Sequence, residues 1–447
     1  MNLRKILWPL LCSMTLLAAA CSSSESSPPS GPNGGNGGDG GGGGGSTPTP
    51  SSVSLSPSAN REVVSSKYSG WVASHYVTMA DEATYYSSLA ADFPTVFAGY
   101  DPVGRVIWSA QSDKGSCKVM DTSKPAMKFR GCTVSEGVGY GMLISYFQGD
   151  EAVFKGLWNY SQGFRKYFGV SLTPWITSSF RYKSVDNSSA TDADLDIATA
   201  LILMYYKTQD QAYLNDALSI ATAIWDTEIQ QPDLLILSGN TAMWTNDPTY
   251  NLSYFSPVAL RLFAREDPNH NWTGVLDAMY AYMKKVQDAG TGVFPDWSDA
   301  SGAAKNPPNN SATKSYWMFD KESVRISWRL GWDYYWFQDE RAKAILDKLN
   351  GFIVDKSGGD PNNVAALGKS YSWNLSVGAD GDVRNVIPGE SLALWCATGI
   401  SGNMDWLTKC TDALNTKQLS NTSQSYFSDI LLMMYSQLLN GMYERPF

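Results

Sequence analysis

The sequence predicts an all-α fold, because helical patterning recurs along the chain while strand patterning is scarce. Apolar residues recur at three-to-four spacing in about twelve segments, the period of a helix with one buried face. The best short candidate for a strand covers residues 105–108. Short loops join many helical segments in pairs, at 149–150, 209–210 and 338–339. A dozen paired helices suit an (α/α)6 barrel of six inner and six outer helices, and a solenoid is the weaker alternative because no repeat is visible.

The apolar pattern also indicates where each helix begins. Ser135 precedes one apolar run, and its hydroxyl is expected to cap that helix by accepting from a free N–H of the first turn. The predicted helix starts are Val72, Glu136, Ala152, Asp194, Gln211, Tyr254, Thr273, Glu322, Arg341, Glu390, Met404 and Tyr426.

Residues 1–20 have the pattern of a bacterial lipoprotein signal peptide. Arg4 and Lys5 precede a mostly apolar stretch that is too short to span a bilayer comfortably and contains Pro9. Residues 18–21 read Ala-Ala-Ala-Cys, which resembles a lipoprotein cleavage site and predicts lipidation of Cys21. An ordinary secretory signal cut nearby is the alternative. We therefore expect an exported protein, lipid-anchored to a bacterial membrane at the cell surface or in the periplasm.

Residues 21–58 are expected to form the lipidated cysteine and a disordered linker. The segment is composed largely of Ser, Pro and Gly, including glycine at every position from 41 to 45, and has almost nothing apolar to bury. Such a tether would hold a folded domain away from the membrane. The remaining residues, 59–447, are predicted to form that domain.

The composition excludes several functional classes. The net charge of −9 and the lack of a basic stripe argue against a nucleic-acid partner. The two histidines, His75 and His270, are far apart, which leaves no His-rich metal cluster and no obvious Ser-His-Asp triad. Proton transfer must then rest on carboxylates, and we expect no metal and no cofactor. Aromatic residues make up 13% of the chain, which suits stacking on sugar rings as well as a large helical core.

Four cysteines of the domain fall into two local pairs. In an exported protein this pattern predicts the disulfides Cys117–Cys132 and Cys396–Cys410, the first of which would restrain the segment leading to Glu136. Four buried free thiols are the alternative.

The first candidate for chemistry is Glu136, which stands at a predicted helix start. Glycines follow it at 137, 139 and 141, although glycine in a first helical turn costs about 1 kcal/mol relative to alanine. This pattern indicates that something bulky passes close to the backbone there. The simpler alternative is that Glu136 only complements the helix dipole.

Two further acidic segments follow. Residues 190–198 place Asp192, Asp194 and Asp196 at alternate positions before an apolar run, a pattern that also fits capping but lacks the central Gly and terminal Glu of an EF-hand. Residues 319–329 place Glu322 near Arg325, where it is either a reactive carboxylate or the partner of an ordinary helix-face ion pair.

These three segments, read as Ser-Glu-Gly-x-Gly-Tyr-Gly-Met, Ala-Thr-Asp-x-Asp-x-x-Ile-Ala and Phe-Asp-Lys-Glu-x-x-Arg-x-Ser-Trp-Arg, resemble the signatures of glycoside hydrolase family 8 over roughly residues 60–447. The resemblance implies an (α/α)6 barrel and an inverting hydrolysis. It assigns Glu136 as the general acid, Asp192 as the residue that holds the distorted sugar, and Asp194 as a binding or supporting residue. Glu322 stands where many members have the aspartate that activates water, and Asp320 is its competitor. Lys321 and Ser327 also depart from the family pattern.

The same resemblance covers residues 294–297, Phe-Pro-Asp-Trp, and implies a polysaccharide substrate for a monomeric enzyme. Arg325 matches the family pattern and is a candidate for substrate binding. The family cleaves β-1,4-glucans, mixed-linkage glucan, xylan or chitosan. We favour an endo-β-1,4-glucanase, with xylanase or chitosanase as alternatives and a non-catalytic glycan-binding lipoprotein as the alternative from another class. The aromatic residues expected to stack on sugars are Tyr140, Trp244, Trp297, Trp317 and Trp373.

Overall fold

The computed structural model describes residues 53–85, 95–108, 132–178, 183–308, 316–383, 388–422 and 425–447. Residues 47–447 form one compact unit. The predicted signal peptide, the lipidation site Cys21 and most of the linker lie outside the described residues, and so does Cys117.

The folded part of the chain begins a few residues earlier than the predicted boundary at residue 59. The Ser58 carbonyl accepts a hydrogen bond from the Asn415 side chain at 3.0 Å, and the N–H of Asn60 donates to Asn440 at 2.6 Å. Ser56 is already buried. The last residues of the predicted linker therefore pack against the domain.

Helices dominate the described residues. The α-helices are α1 (Arg61–His75), α2 (Met79–Tyr85), α3 (Ser135–Gln148), α4 (Glu151–Phe168), α5 (Thr191–Thr208), α6 (Gln211–Glu228), α7 (Ala242–Asn246), α8 (Pro257–Glu266), α9 (Trp272–Asp288), α10 (Ile326–Phe337), α11 (Glu340–Ser357), α12 (Val364–Leu367), α13 (Pro388–Ala397), α14 (Met404–Asn415) and α15 (Tyr426–Leu439). Short 3-10 turns cover Leu252–Tyr254, Ser323–Arg325 and Thr398–Ser401.

The long helices form two concentric rings. In the inner ring each helix contacts the next and the last contacts the first, in the order α3, α5, α8, α10, α13 and α15. Each inner helix also packs against an outer partner, in the pairs α3–α4, α5–α6, α8–α9, α10–α11, α13–α14 and α15–α1. This closed arrangement confirms the predicted (α/α)6 barrel.

The two rings differ in how the sequence distributes apolar residues. Inner helix α5 is buried at every position from Thr191 to Met204, as expected for a helix surrounded by others. Outer helix α9 instead buries one stripe, with Val275, Met279, Tyr282 and Val286 spaced three or four residues apart. Burial of these stripes against the inner ring holds the two layers together.

The predicted short loops are tight turns between an inner helix and its outer partner. Gly149 and Gln209 adopt left-handed φ values of 82° and 60° and so end α3 and α5. The next residue in each case, Asp150 or Asp210, caps the following helix by accepting from a first-turn N–H. Each connection is short because one residue ends the first helix and the next residue caps the second.

One predicted helix start differs clearly from the structure. Val72 lies inside α1, which begins at Arg61 because the Asn60 side chain accepts from the N–H groups of Glu62 and Val63. The buried face of α1 carries Lys67 and His75 beside Val64, Tyr68 and Trp71, so its apolar pattern is interrupted. The other predicted starts lie within about one turn of the observed ones.

Short antiparallel strands connect the helices. β1 (Tyr76–Thr78) pairs with β2 (Gly104–Val106), which overlaps the predicted strand. The other pairings join β3 (Thr133–Val134), β4 (Ile176–Ser178) and β5 (Lys183–Asp186) in one sheet, β6 (Ile229–Gln230) with β7 (Leu235–Ile236), and β8 (Met318–Phe319) with β9 (Tyr371–Ser372). Since β3 runs directly into α3, and β5 lies just before α5, their sheet places the two helix starts side by side.

Cys396 and Cys410 form a disulfide between α13 and α14, with a Cα–Cα distance of 5.2 Å. The pairing of Cys132 with Cys117 stays a prediction, because Cys117 is not among the described residues. In the described ranges, none of the helices has the length and apolar character needed to cross a membrane.

Candidate active site

The starts of α3 and α5 and the turn before α10 meet at one cavity of about 790 Å³. Glu136, Asp192 and Glu322, the three predicted reactive carboxylates, all line it. The other described residues of its lining are Trp108, Val134, Trp175, Ala190, Tyr254, Lys321, Arg325, Tyr426, Phe427 and Ser428.

Arg325 connects the three carboxylates. One terminal nitrogen donates to Glu136 Oε2 at 2.5 Å and to Asp192 Oδ2 at 3.0 Å, while the other donates to Glu322 Oε2. Only 2% of the arginine side chain is exposed. A guanidinium presents several donors in a fixed plane, so a single cation holds all three acids in defined positions. Arg325 therefore connects the three acids, and since it also lines the cavity, its contact with substrate stays a prediction.

Further contacts fix Arg325 itself. Its guanidinium carbon lies 5.4 Å from the Tyr254 ring centre and 5.8 Å from that of Phe427. Its Nε donates to the Glu322 carbonyl at 3.3 Å, and a terminal nitrogen donates to the Tyr140 hydroxyl at 3.3 Å. Two aromatic rings and four oxygen-bearing residues thus hold the guanidinium in place.

The environment of Glu136 suits a carboxyl that carries a proton. Burial raises its pKa, and the negative charges of Glu322 and Asp196 act in the same direction. The Arg325 guanidinium and the hydrogen bond from Tyr426 to Oε1, at 2.8 Å, oppose this rise without cancelling it. The side chain is 17% exposed. A partly open carboxyl with a raised pKa has the properties of a general acid.

Asp192 lies deeper than Glu136. Burial raises its pKa well above the usual range, and although Arg325 opposes this, the Glu136 carboxylate adds to it. Its Oδ1 accepts from the N–H of Ala193 at 2.9 Å, which leaves the other oxygen on Arg325. This side chain is positioned to contact a ligand in the cavity but is almost fully buried in the free site.

Glu322 is the most exposed of the three carboxylates, with 31% of its side chain accessible. Its Oε2 accepts from Asn251 Nδ2 at 2.8 Å as well as from Arg325. It stands just before the 3-10 turn that leads into α10, not at the helix start that the sequence predicts. The competitor Asp320 is buried, does not line the cavity and accepts from the Ser370 hydroxyl at 3.1 Å.

The shared guanidinium limits the distance between Glu136 and Glu322. Glu136 Oε2 and Glu322 Oε2 bind the two terminal nitrogens of the same guanidinium. The two oxygens are therefore at most about 7 Å apart, the length of two short hydrogen bonds plus the distance between the nitrogens. An inverting pair of carboxyls stands roughly 6.5–9.5 Å apart and a retaining pair about 5–5.5 Å. An upper limit of about 7 Å between the two carboxylates overlaps the inverting range only at its short end, and it is also compatible with the retaining distance.

The glycines after Glu136 make room for neighbouring protein. A Cβ on Gly137 would meet the Tyr426 hydroxyl at 3.1 Å, and one on Gly139 would meet Asp196 and the Ala193 carbonyl of α5 at 3.0 and 3.1 Å. The bulky neighbours of Gly137 and Gly139 are thus Tyr426 and α5, whereas a Cβ on Gly141 would meet Leu157 of α4 at 2.7 Å.

Ser135 does not cap α3, as the sequence suggested it would. The helix begins at Ser135 itself, Val134 occupies the cap position, and the serine hydroxyl is buried without a hydrogen-bond partner among the described residues.

The alternate acids of residues 190–198 separate in the structure, because all three lie on α5. Residues two apart on a helix point about 200° apart, so Asp194 faces away from Asp192 and Asp196, which lie four residues apart on the same side of α5. Asp192 faces the cavity, whereas Asp196 forms a buried ion pair with Arg329. Asp194 does not line the cavity, and its Oδ1 accepts from the N–H of Thr173 at 3.2 Å. A direct binding role for Asp194 is therefore not supported by its position.

The aromatic residues predicted to bind sugar are mostly part of the core. Trp244 and Trp297 stack on each other, with ring centres 5.7 Å apart and planes 2° apart, and both are buried. Tyr140 is fully buried beside Arg325, and the Trp373 indole donates to a backbone carbonyl in the interior. Trp317, which is partly buried, does not line the cavity either. Four of the five rings are thus buried within the protein, and Trp317 is partly exposed outside the cavity.

A different set of aromatic residues lines the cavity. Trp108, Trp175, Tyr254 and Phe427 are partly exposed there, and Tyr426 contacts Glu136. Weak signals for some of them existed in the sequence, since Trp108 ends the predicted strand and Tyr254 and Tyr426 stand at predicted helix starts. Their convergence on one cavity depends on the closure of the barrel.

Across the residues that the structure describes, no group of three or more His, Cys, Asp and Glu side chains is arranged to hold a metal ion.

A family profile described as "Glycosyl hydrolases family 8" matches residues 111–441. Endoglucanase C of Ruminiclostridium cellulolyticum is 32% identical over 233 residues, which cover 49% of this chain and 47% of that protein. A Beta-glucanase of Niallia circulans is 26% identical over 348 residues, covering 72% and 81%. This chain spans about half the length of Endoglucanase C and of the similar endoglucanases of Ruminiclostridium josui and Acetivibrio thermocellus.

Solved structures share the fold. The apo structure of a β-1,3-1,4-glucanase from Paenibacillus sp. X4 superimposes with a TM-score of 0.69 at 21% identity, over 88% of this chain and 97% of that one. A reducing-end-xylose releasing exo-oligoxylanase superimposes with a TM-score of 0.61 at 16% identity, over 85% and 99%. The family profile covers most of the chain, and the barrel has the same fold as these solved structures. The chain belongs to glycosyl hydrolase family 8.

Proposed function

We propose that this protein is an endo-acting hydrolase of β-1,4-glycosidic bonds in a polysaccharide, most favourably a β-glucan, and that it inverts the anomeric configuration. One observation carries the proposal: Arg325 holds Glu136, Asp192 and Glu322 around a cavity that is partly walled by aromatic rings. Glycoside hydrolysis needs an acid and a base on either side of the scissile bond, and sugar rings bind well against aromatic faces.

Glu136 is the proposed general acid. Its Oε2 faces Arg325, which can only donate, so the proton of the acid form sits on Oε1. Protonated Oε1 can donate a hydrogen bond to the neighbouring Tyr426 hydroxyl. When substrate is bound, Oε1 can donate to the glycosidic oxygen instead. Transfer of the proton from Oε1 to that oxygen breaks the bond to the anomeric carbon and releases the leaving sugar.

Glu322 is the proposed base. It takes a proton from a water molecule while the water oxygen forms its bond to the anomeric carbon from the opposite face. Its greater exposure fits this role, because the water must reach it from the cavity. Asp192, which shares a terminal nitrogen of Arg325 with Glu136, is the proposed contact for the distorted sugar ring.

The relatives favour a β-glucan over other substrates. Those with the higher identities carry the names endoglucanase and beta-glucanase, while the exo-oligoxylanases are 20–23% identical. Xylan and chitosan remain the alternative substrates. A non-catalytic glycan-binding protein is the alternative from another class, and it is less favoured because all three carboxylates are present and converge.

Side-by-side hydrolysis of carboxymethylcellulose, lichenan, xylan and chitosan tests the proposal, with new reducing ends as the readout. We expect activity on the two glucans and a loss of roughly 10²–10⁴-fold in the Glu136→Gln variant, the usual contribution of general acid catalysis. Activity on xylan or chitosan alone would reassign the substrate. Binding without hydrolysis of any of the four would favour the non-catalytic alternative.

We also propose that the enzyme acts as a monomer at a bacterial surface or in the periplasm, held by a lipid on Cys21. The signal-like residues 1–20 and the glycine-rich segment that follows Cys21 support this arrangement.

A further inference from the structure

The turn that carries Glu322 is held by one buried carboxylate, Asp296. Its Oδ1 accepts from the backbone N–H groups of Asp320 at 3.0 Å, Glu322 at 3.2 Å and Ser323 at 3.0 Å. The Ser323 hydroxyl donates to the same oxygen at 2.7 Å. Asp296 comes from the segment after α9, and its own N–H donates to the Met318 carbonyl at 2.8 Å in β8. A single oxygen thus gathers four donors around the turn.

These contacts solve a local problem of the backbone. N–H groups at the start of a helical turn have no partner within the helix and must be satisfied from outside. A buried carboxylate is itself costly unless it is hydrogen-bonded, and burial raises the pKa of Asp296 to about 7, with the charges of Asp320 and Glu322 adding to the rise. The four donors on one oxygen of this buried carboxyl group indicate that its task is to fix the turn.

Glu322 is thereby restrained at two levels. Asn251 and Arg325 hold the tip of its side chain, whereas Asp296 holds the backbone from which the side chain extends. Many family members have an aspartate at this position, and the glutamate side chain is one methylene longer. The position of the backbone therefore decides where the longer carboxylate ends.

We propose that Asp296 is a positioning residue for the reaction, which places the Glu322 carboxylate at the distance that water activation requires. This inference rests on the proposed function, in which Glu322 is the base. Asp296 does not line the cavity and acts only through the turn.

Kinetics of Asp296 variants on β-glucan give the first test. A misplacement of about 1 Å can cost 100-fold in rate, so we expect Asp296→Ala to lower kcat by roughly 10–100-fold with KM changed by less than about threefold. Asp296→Asn keeps an acceptor oxygen and should recover most of this kcat. Asp299→Ala is the matched control, because Asp299 accepts from Ser301 and Ala303 in an exposed turn without a reactive residue, and its kcat should stay at the wild-type value.

A double-mutant cycle separates positioning from general support of the fold. If Asp296 acts through Glu322, Asp296→Ala should have no further effect on kcat in a Glu322→Ala background. The same loss in both backgrounds would overturn this proposal alone. Wild-type activity of Glu322→Ala would overturn the base assignment and this proposal with it.

Should Asp296→Ala fail to fold, Ser323→Ala removes one of the four donors and leaves the backbone bonds. We then expect a several-fold loss of kcat that disappears in the Glu322→Ala background, as for any group acting through Glu322. An unchanged kcat in Ser323→Ala would overturn the proposal.

Discussion

Replacement of Arg325 by Met should destabilise the protein in a way that depends on pH. The change removes the cation that Glu136, Asp192 and Glu322 share while keeping a side chain of similar length. Removing one partner of a buried ion pair costs about 3–5 kcal/mol, because the remaining charges stay buried without compensation. With an unfolding entropy of about 2.1 cal/mol/K per residue, a domain spanning residues 59–447 would lose about 4–6 °C in Tm.

The dependence on pH follows from the pKa values of the carboxylates. Burial already raises the folded-state pKa of Glu136 and Asp192, and Arg325 opposes the rise in both cases. Without Arg325 both pKa values rise further, so the folded state binds more protons than the unfolded state over a wider range above the unfolded pKa. Stability falls with rising pH wherever the folded state holds the extra protons. The Tm deficit of the variant should therefore be smaller near pH 5 than near pH 8.

Thermal unfolding of the wild type and Arg325→Met at pH 5 and pH 8 measures both effects. Arg341→Met is the matched control, because Arg341 pairs with Asp339 and Asp277 at the surface, where an ion pair contributes about 0–1 kcal/mol. A Tm deficit that is equal at the two pH values, or no larger than that of Arg341→Met, would refute the reasoning.

Two further predictions concern the acid and the anchor. Tyr426→Phe removes a hydrogen bond that favours the ionised form of Glu136, so the pKa of Glu136 should rise and the basic limb of the pH–rate profile should move to higher pH. Tyr371→Phe is the control and should leave the basic limb in place, because the Tyr371 hydroxyl donates to the Ala366 carbonyl and does not line the cavity. A basic limb that stays or moves to lower pH in Tyr426→Phe would contradict the assignment. Cys21→Ser should move the enzyme from the membrane fraction to the soluble fraction, and a mature N-terminus well downstream of Cys21 in the wild type would rule the anchor out.

The helices and their connections were predictable because their signals are local. An inner helix that ends at Gly149 in a left-handed conformation and an outer helix capped by Asp150 are encoded by two adjacent residues. The start of α1 also had a local signal in the capping Asn60, but it was missed because Lys67 and His75 interrupt the apolar face that follows.

The convergence of three carboxylates on one cavity was predictable, whereas the aromatic walls of that cavity were not. Glu136, Asp192 and Glu322 lie at or just before the starts of inner helices, and a barrel brings such positions together at one end. Which tryptophans are exposed depends instead on partners far away in sequence, as the stacking of Trp244 on Trp297 shows. The spacing of apolar residues along the sequence does not indicate such a contact.

Contacts that tune the acids were also beyond the sequence. Tyr426 reaches Glu136 from the last inner helix, and Asn251 reaches Glu322 from the 3-10 turn before α8. Each pair is far apart in the chain and is joined only when the inner ring closes. Asp194 was expected to bind or support substrate from its place in the motif, but helical geometry turns it away from Asp192 and from the cavity.

The most direct test of the central claim, that Glu136 and Glu322 act as an acid–base pair across a β-glycosidic bond, is the anomeric configuration of the first product. Proton NMR during hydrolysis of a soluble β-1,4-gluco-oligosaccharide would record the new reducing end before mutarotation. Because a water activated by Glu322 attacks from the face opposite the leaving group, the account predicts that the α-anomer forms first. Initial formation of the β-anomer would show a retaining mechanism and would contradict it.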